Sequence, residues 1–85
     1  AGAQANLGIM YEKGQGVKQS DVEAAKFYQK AANQGDTSAQ NKLGFMYVKG
    51  QGVKQSDVKA KELFRKTCDG GSEWGCKAYA ILNKR

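Results

Sequence analysis

Ser56-Asp57-Val58-Lys59 has the S-x-x-K spacing at which a lysine activates a serine nucleophile for acyl transfer. The S-D-N and K-T-G strings that complete such a site are missing. The matching stretch earlier in the chain, Ser20-Asp21-Val22-Glu23, has no lysine in fourth place. A helix cap accounts for both copies, because a serine or aspartate oxygen accepts from the free amides at a helix start. The chain is therefore expected to be non-catalytic, with hydrolysis through Ser56 kept as the alternative. Cys68 and Cys76 are the 2 cysteines, and there are 0 histidines. Two thiolates cannot complete a four-ligand zinc site, and no C-x-x-C redox motif is present. A chain reversal at Gly70-Gly71 could bring these cysteines together. From the residues alone they read either as a bonded pair or as two reduced, partly buried thiols. Gly14-Gln15-Gly16 does not follow a strand and lacks the third glycine of a phosphate loop. No cofactor and no metal ligand set is expected.

The residues that could do chemistry are thus few, and the elements that carry them repeat. Lys13 to Val22 (KGQGVKQSDV) returns unchanged as Lys49 to Val58, an offset of 36. Leu7-Gly8 returns as Leu43-Gly44, Met10-Tyr11 as Met46-Tyr47, and Gly35 as Gly71. A period of this size marks units that bury their apolar faces only by stacking on neighbours. Ala3, Leu7 and Tyr11 fall at i, i+4 and i+8, widened by Met10, which predicts a helix over residues 1–13. Gly14 to Gly16 stops it. Ser20 or Asp21 caps a second helix over 21–34, and Ser20 with Glu23 fits a capping box. Its inner stripe is Ala24, Tyr28 and Ala31, edged by Phe27 and Ala32. Gly35 ends that helix and Asp36 caps the next. The cycle then predicts helices over 37–49 and 57–69, Gly71 as a stop, Ser72 as a cap, and a fifth helix over 73–84. Glycine inside a helix costs about 1 kcal/mol against alanine. Its recurrence at Gly8 and Gly44 predicts close approach of a neighbouring helix backbone. In the fifth helix Ala80 takes that place, which suits a closing cap. The expected organisation is one domain over 1–85, with repeats at 1–36 and 37–72 and a partial repeat or capping helix at 73–85.

The chain has 85 residues, no proline and a net charge of +6, with its lysines spread over both repeats. Scattered positive charge is a weaker sign of nucleic acid than one clustered stripe, so nucleic-acid or anionic-surface binding stands only as a further alternative. No run is long and apolar enough to span a membrane. The chain opens in mid-repeat at Ala1, as a fragment or a mature product would.

The pattern A-x3-LG-x-MY-x2-G-x-GV-x3-D-x2-A-x3-Y-x2-AA-x2-G closely resembles the Sel-like repeat, a relative of the tetratricopeptide repeat. It is carried by Ala3, Leu7, Gly8, Tyr11, Gly14, Gly16, Val17, Asp21, Ala24, Tyr28, Ala31, Ala32 and Gly35. The second copy carries it at Ala39, Leu43, Gly44, Tyr47, Gly50, Gly52, Val53, Asp57, Ala60 and Gly71, and departs at Phe64 and Thr67-Cys68. The resemblance implies an all-α, right-handed α-α solenoid of about five helices. It also implies a scaffold that binds a peptide or protein partner. The cysteine spacing resembles the bacterial cysteine-rich branch, which implies a Cys68–Cys76 disulfide and a periplasmic or secreted location, with the cytoplasm as the alternative. Some proteins of that branch are described as penicillin-binding or β-lactamase-like, which is what keeps the Ser56 alternative open.

In tetratricopeptide-type solenoids the first helix of each pair lines the concave face. The resemblance therefore implies a binding face made from Asn6, Ile9 and Lys13, then Asn41, Lys42, Phe45 and Lys49, then Trp74, Lys77 and Ile81. Ile9, Phe45 and Ile81 are equivalent by the offset and are expected either to form an apolar row or to fill space between helices. The positive charge favours an acidic partner.

Overall fold

The computed structural model describes residues 2–84. Five helices follow one another: α1 (Gly2–Lys13), α2 (Asp21–Asn33), α3 (Thr37–Lys49), α4 (Asp57–Asp69) and α5 (Glu73–Asn83). No strand occurs among the described residues. The expected ends hold to within one residue, with Gln34 and Lys84 serving as C-caps instead of closing residues of their helices. The first expected helix residue, Ala1, lies outside the described residues. Each helix packs on its sequence neighbours, giving an elongated α-solenoid of 38 × 23 × 16 Å.

The punctuation is local. The hydroxyls of Ser20 and Ser56 accept from the backbone amides of Glu23 and Lys59, each at 3.2 Å. The capping box is only half formed, because Glu23 turns to Lys26 at 3.3 Å. The amides of Ser20 and Ser56 are satisfied elsewhere, donating to the carbonyls of Tyr11 and Tyr47 at 2.9 Å. That bond ties the start of each second helix to the end of the first. Asp36 and Ser72 cap α3 and α5 as expected.

Two clusters form the core. One joins Ala24, Ala25, Tyr28, Ala31 and Ala32 of α2 to Ala39, Leu43 and Met46 of α3. The other joins Ala60, Phe64 and Leu82. The small residues let the helices approach, and the large rings fill what remains. At Gly44 the close neighbour is the Phe64 ring and not a helix backbone: a Cβ there would sit 2.7 Å from Phe64 Cζ. Gly8 stands in the same relation to Tyr28. The expected close approach is real, but its partner is an aromatic face that needs a flat helix surface. Gly52 is tied down differently. It has φ 75°, and any side chain on it would overlap the Asp21 carbonyl, so the turn of the second repeat presses on the start of α2.

Candidate partner-binding notch

α3 and α5 both expose part of their inner face, and the exposed parts meet. Phe45 and Trp74 stand edge to face with ring centroids 4.3 Å apart. Phe45 also packs edge-on against the buried Phe64 ring at 5.7 Å. Phe45 is 37% exposed and Trp74 47%, against 1% for Phe64. Together with Ser38, Asn41 and Lys42 these two rings line a notch of about 390 Å³. Aromatic rings held by a core partner, yet open to solvent, are the usual anchors of a binding surface.

The polar rim is partly ordered. Asn41 Nδ2 donates to Ser72 Oγ at 3.4 Å, while its Oδ1 is buried without a partner. Ser72 Oγ also accepts from the amide of Gly75, so the α5 cap and the notch share one hydroxyl. Lys42 is exposed and reaches back to Glu12 Oε1 at 3.3 Å. The same carboxylate oxygen accepts from the Tyr28 hydroxyl at 2.8 Å. Burial and the nearby Glu12 carboxylate push the Tyr28 phenol well above its ordinary range.

Of the residues expected on this face, Asn41, Lys42, Phe45 and Trp74 come together around one notch. Ile9 is half-buried and packs against the first core cluster. Ile81 is 66% exposed. The side chains of Asn6, Lys13, Lys49 and Lys77 are exposed, with Lys13 and Lys49 at the last positions of α1 and α3. The Glu12–Tyr28 bond and the Lys42–Glu12 pair were not anticipated. A signal for the first existed: 36 residues on, Tyr28 becomes Phe64 and Glu12 becomes Val48, so a hydroxyl and its acceptor vanish together. Ser38 carried no signal at all.

The residues of the S-x-x-K string have other partners. Ser56 caps α4, and Lys59 Nζ lies 5.5 Å over the Tyr47 ring, a cation–π contact on the helix flank. Among the described residues no cluster of acidic, cysteine or histidine side chains could hold a metal, and no helix is long and apolar enough to cross a membrane. Cys68 and Cys76 lie at disulfide-bonding distance, their Cα atoms 4.4 Å apart.

Comparison with known proteins fits this architecture. The Sel1 repeat model matches residues 1–36 and 37–72. A Sel1 repeat protein from Oxalobacter formigenes superposes with a TM-score of 0.88 at 39% identity, covering 93% of this chain and 59% of that one. Helicobacter pylori cysteine rich protein B gives 0.85 at 34% identity, covering 89% of this chain and 57% of that one. A protective antigen of uropathogenic Escherichia coli with an SLR fold gives 0.83 at 38% identity, covering 87% of this chain and 16% of that one. The chain thus spans under three fifths of the length of each of these structures. No curated protein matches it. The repeat pattern, the helix stack and these matches agree: the chain belongs to the Sel1 repeat family.

Proposed function

We propose that the second repeat junction is a protein-binding site, in which the Phe45–Trp74 notch takes an apolar anchor from an acidic peptide or protein segment. Sel1 repeat proteins are in general protein–protein interaction scaffolds. The observation that carries the reading is the exposed aromatic pair itself. At the first junction the equivalent residues are Ile9 and Ser38, which cannot build an aromatic notch. On this reading binding energy is concentrated at one place on the concave side, with Lys42 in the notch lining and Lys49 and Lys77 one helical turn on from Phe45 and Trp74. These ammonium groups, on a chain of net charge +6, favour carboxylates beside the anchor. Asn41 and Ser38 add polar groups to the notch lining beside the two rings.

On this reading the chain is one domain of two repeats followed by a partial repeat or capping helix. The cysteine pair at bonding distance, and the likeness to a cysteine-rich protein, suit a disulfide and an extracytoplasmic location. The test is selection of peptides from a displayed random library on the oxidised chain, followed by titration against variants. Selected sequences should be acidic with one large apolar residue, and Phe45→Ala should weaken them by about tenfold or more. Ligands that bind Phe45→Ala and Trp74→Ala as well as the parent would refute the notch as the site.

A further inference from the structure

The cysteine pair occupies a position that the preceding junction fills without sulfur. Gln40 Nε2 donates to the Ala32 carbonyl at 3.0 Å, so the start of α3 is clasped to the end of α2. Shifted by one repeat of 36 residues, Ala32 becomes Cys68 and Gln40 becomes Cys76. The same two places are thus joined by a side-chain hydrogen bond at one junction and by sulfurs at bonding distance at the next.

α3 buries Ala39, Leu43, Gly44 and Met46 between its neighbours. Among the described residues α5 packs on α4 and buries Gly75 and Leu82. Its start is held by the Ser72 amide bond to the Thr67 carbonyl at 2.9 Å, the Asn41 bond to Ser72 Oγ, Gly75 packed on Thr67, the Trp74 ring against Phe45 and Phe64, and the Cys76–Cys68 link, the one covalent tie among them. Trp74 lies in this first turn, two residues before Cys76, and forms one wall of the notch.

We propose that the Cys68–Cys76 disulfide is an oxidation-dependent clasp that builds the Phe45–Trp74 notch, so that reduction by a small thiol or dithiol dismantles the binding site and leaves the first junction intact. This regulation rests on the proposed binding at the notch. In the reductive step an external thiolate attacks one sulfur and breaks the Cys68–Cys76 bond, giving a mixed disulfide and one cysteine thiolate, which takes up a proton. A second external thiolate releases the other cysteine as a thiol and leaves as the oxidised reductant. Two electrons and two protons enter the protein. A thiol at Cys76 has no counterpart of the Gln40 amide and cannot donate a comparable bond to the Cys68 carbonyl.

Trp74 is the 1 tryptophan in the chain, so its fluorescence reports the notch directly. On adding a dithiol to the intact chain, Trp74 emission should move to the red and become open to an aqueous quencher, while the far-ultraviolet helix signal stays largely in place. Affinity for a library-selected peptide should fall about tenfold or more with it. Cys68→Ala/Cys76→Gln, which rebuilds the Gln40-type bond, should keep the oxidised emission in both buffers. Unchanged emission in fully reduced protein, with thiol content checked by alkylation and mass, overturns the proposal. So does loss of all helix signal on reduction, which would make the bond a global staple, and so does red-shifted emission of the glutamine variant. If Trp74 responds while peptide affinity does not, the clasp stands and the notch-binding reading fails. If Trp74 ignores reduction while Phe45→Ala still abolishes binding, the reverse holds.

Discussion

Glu12 and Tyr28 show how one repeat differs from the next at the level of atoms. In the first repeat a buried hydroxyl donates to a carboxylate that also holds Lys42 of α3. In the second repeat Phe64 and Val48 replace both partners with apolar groups. Removing one partner leaves the other unsatisfied, whereas removing both costs little. Tyr28→Phe and Glu12→Val should each destabilise by about 1–2 kcal/mol, and the double variant by less than their sum. Chemical denaturation of the four proteins measures this coupling. The raised Tyr28 pKa adds a signed prediction. A phenol whose folded value lies above its unfolded value, near 10, stabilises the fold fully below that pH. Its contribution is lost as pH climbs from there towards the folded value. Stability of the parent should therefore fall above about pH 10, and Tyr28→Phe should flatten that alkaline loss. Phe45 and Phe64 give a second residue-scale contrast. Phe64→Ala empties a buried site and should cost about 3–5 kcal/mol. Phe45→Ala removes a ring that is already part-exposed and should cost roughly 1–2 kcal/mol, leaving a folded protein for binding work.

At the scale of the helices, nearly every boundary was legible. Glycine at positive φ, serine or aspartate at the caps and apolar residues at helical spacing all act through local backbone physics, and the 36-residue period doubled each signal. What sits on a helix was less legible. The glycine at Gly44 announced close approach, but a ring and a backbone leave the same mark in a sequence. Gly44→Ala decides between helix propensity and packing. Alanine should gain about 1 kcal/mol of propensity, but its Cβ must displace the Phe64 ring. The net effect should be a loss of roughly 1–3 kcal/mol, read from the melting curve. A gain in stability would mean that the ring moves freely. The Phe45–Trp74 contact was out of reach for another reason. Both residues were placed on the binding face, yet their meeting depends on how α5 crosses α3, and no local propensity encodes that angle. Ile9 shows the converse: the same offset position that exposes Phe45 is half-buried one repeat earlier.

At the scale of the described chain, the stack opens the Phe45–Trp74 notch, with Lys42 in its lining. Lysine charge acts at range on encounter more than on the bound state. Lys49→Glu and Lys77→Glu should therefore slow association with an acidic peptide and leave stability within about 0.5 kcal/mol, and added salt should imitate both. Stopped-flow binding across a salt series separates this from a change in dissociation. The central claim is that a partner docks at the second junction on the concave side. Amide chemical-shift mapping of the oxidised chain, titrated with a library-selected peptide, tests it most directly. The account predicts the largest shifts from Ser38 to Phe45 and from Ser72 to Lys77, with the Trp74 indole among them. Shifts confined to the outer flank of α4 around Lys59 and Lys66, or to the turns at Gln15 and Gln51, would contradict it.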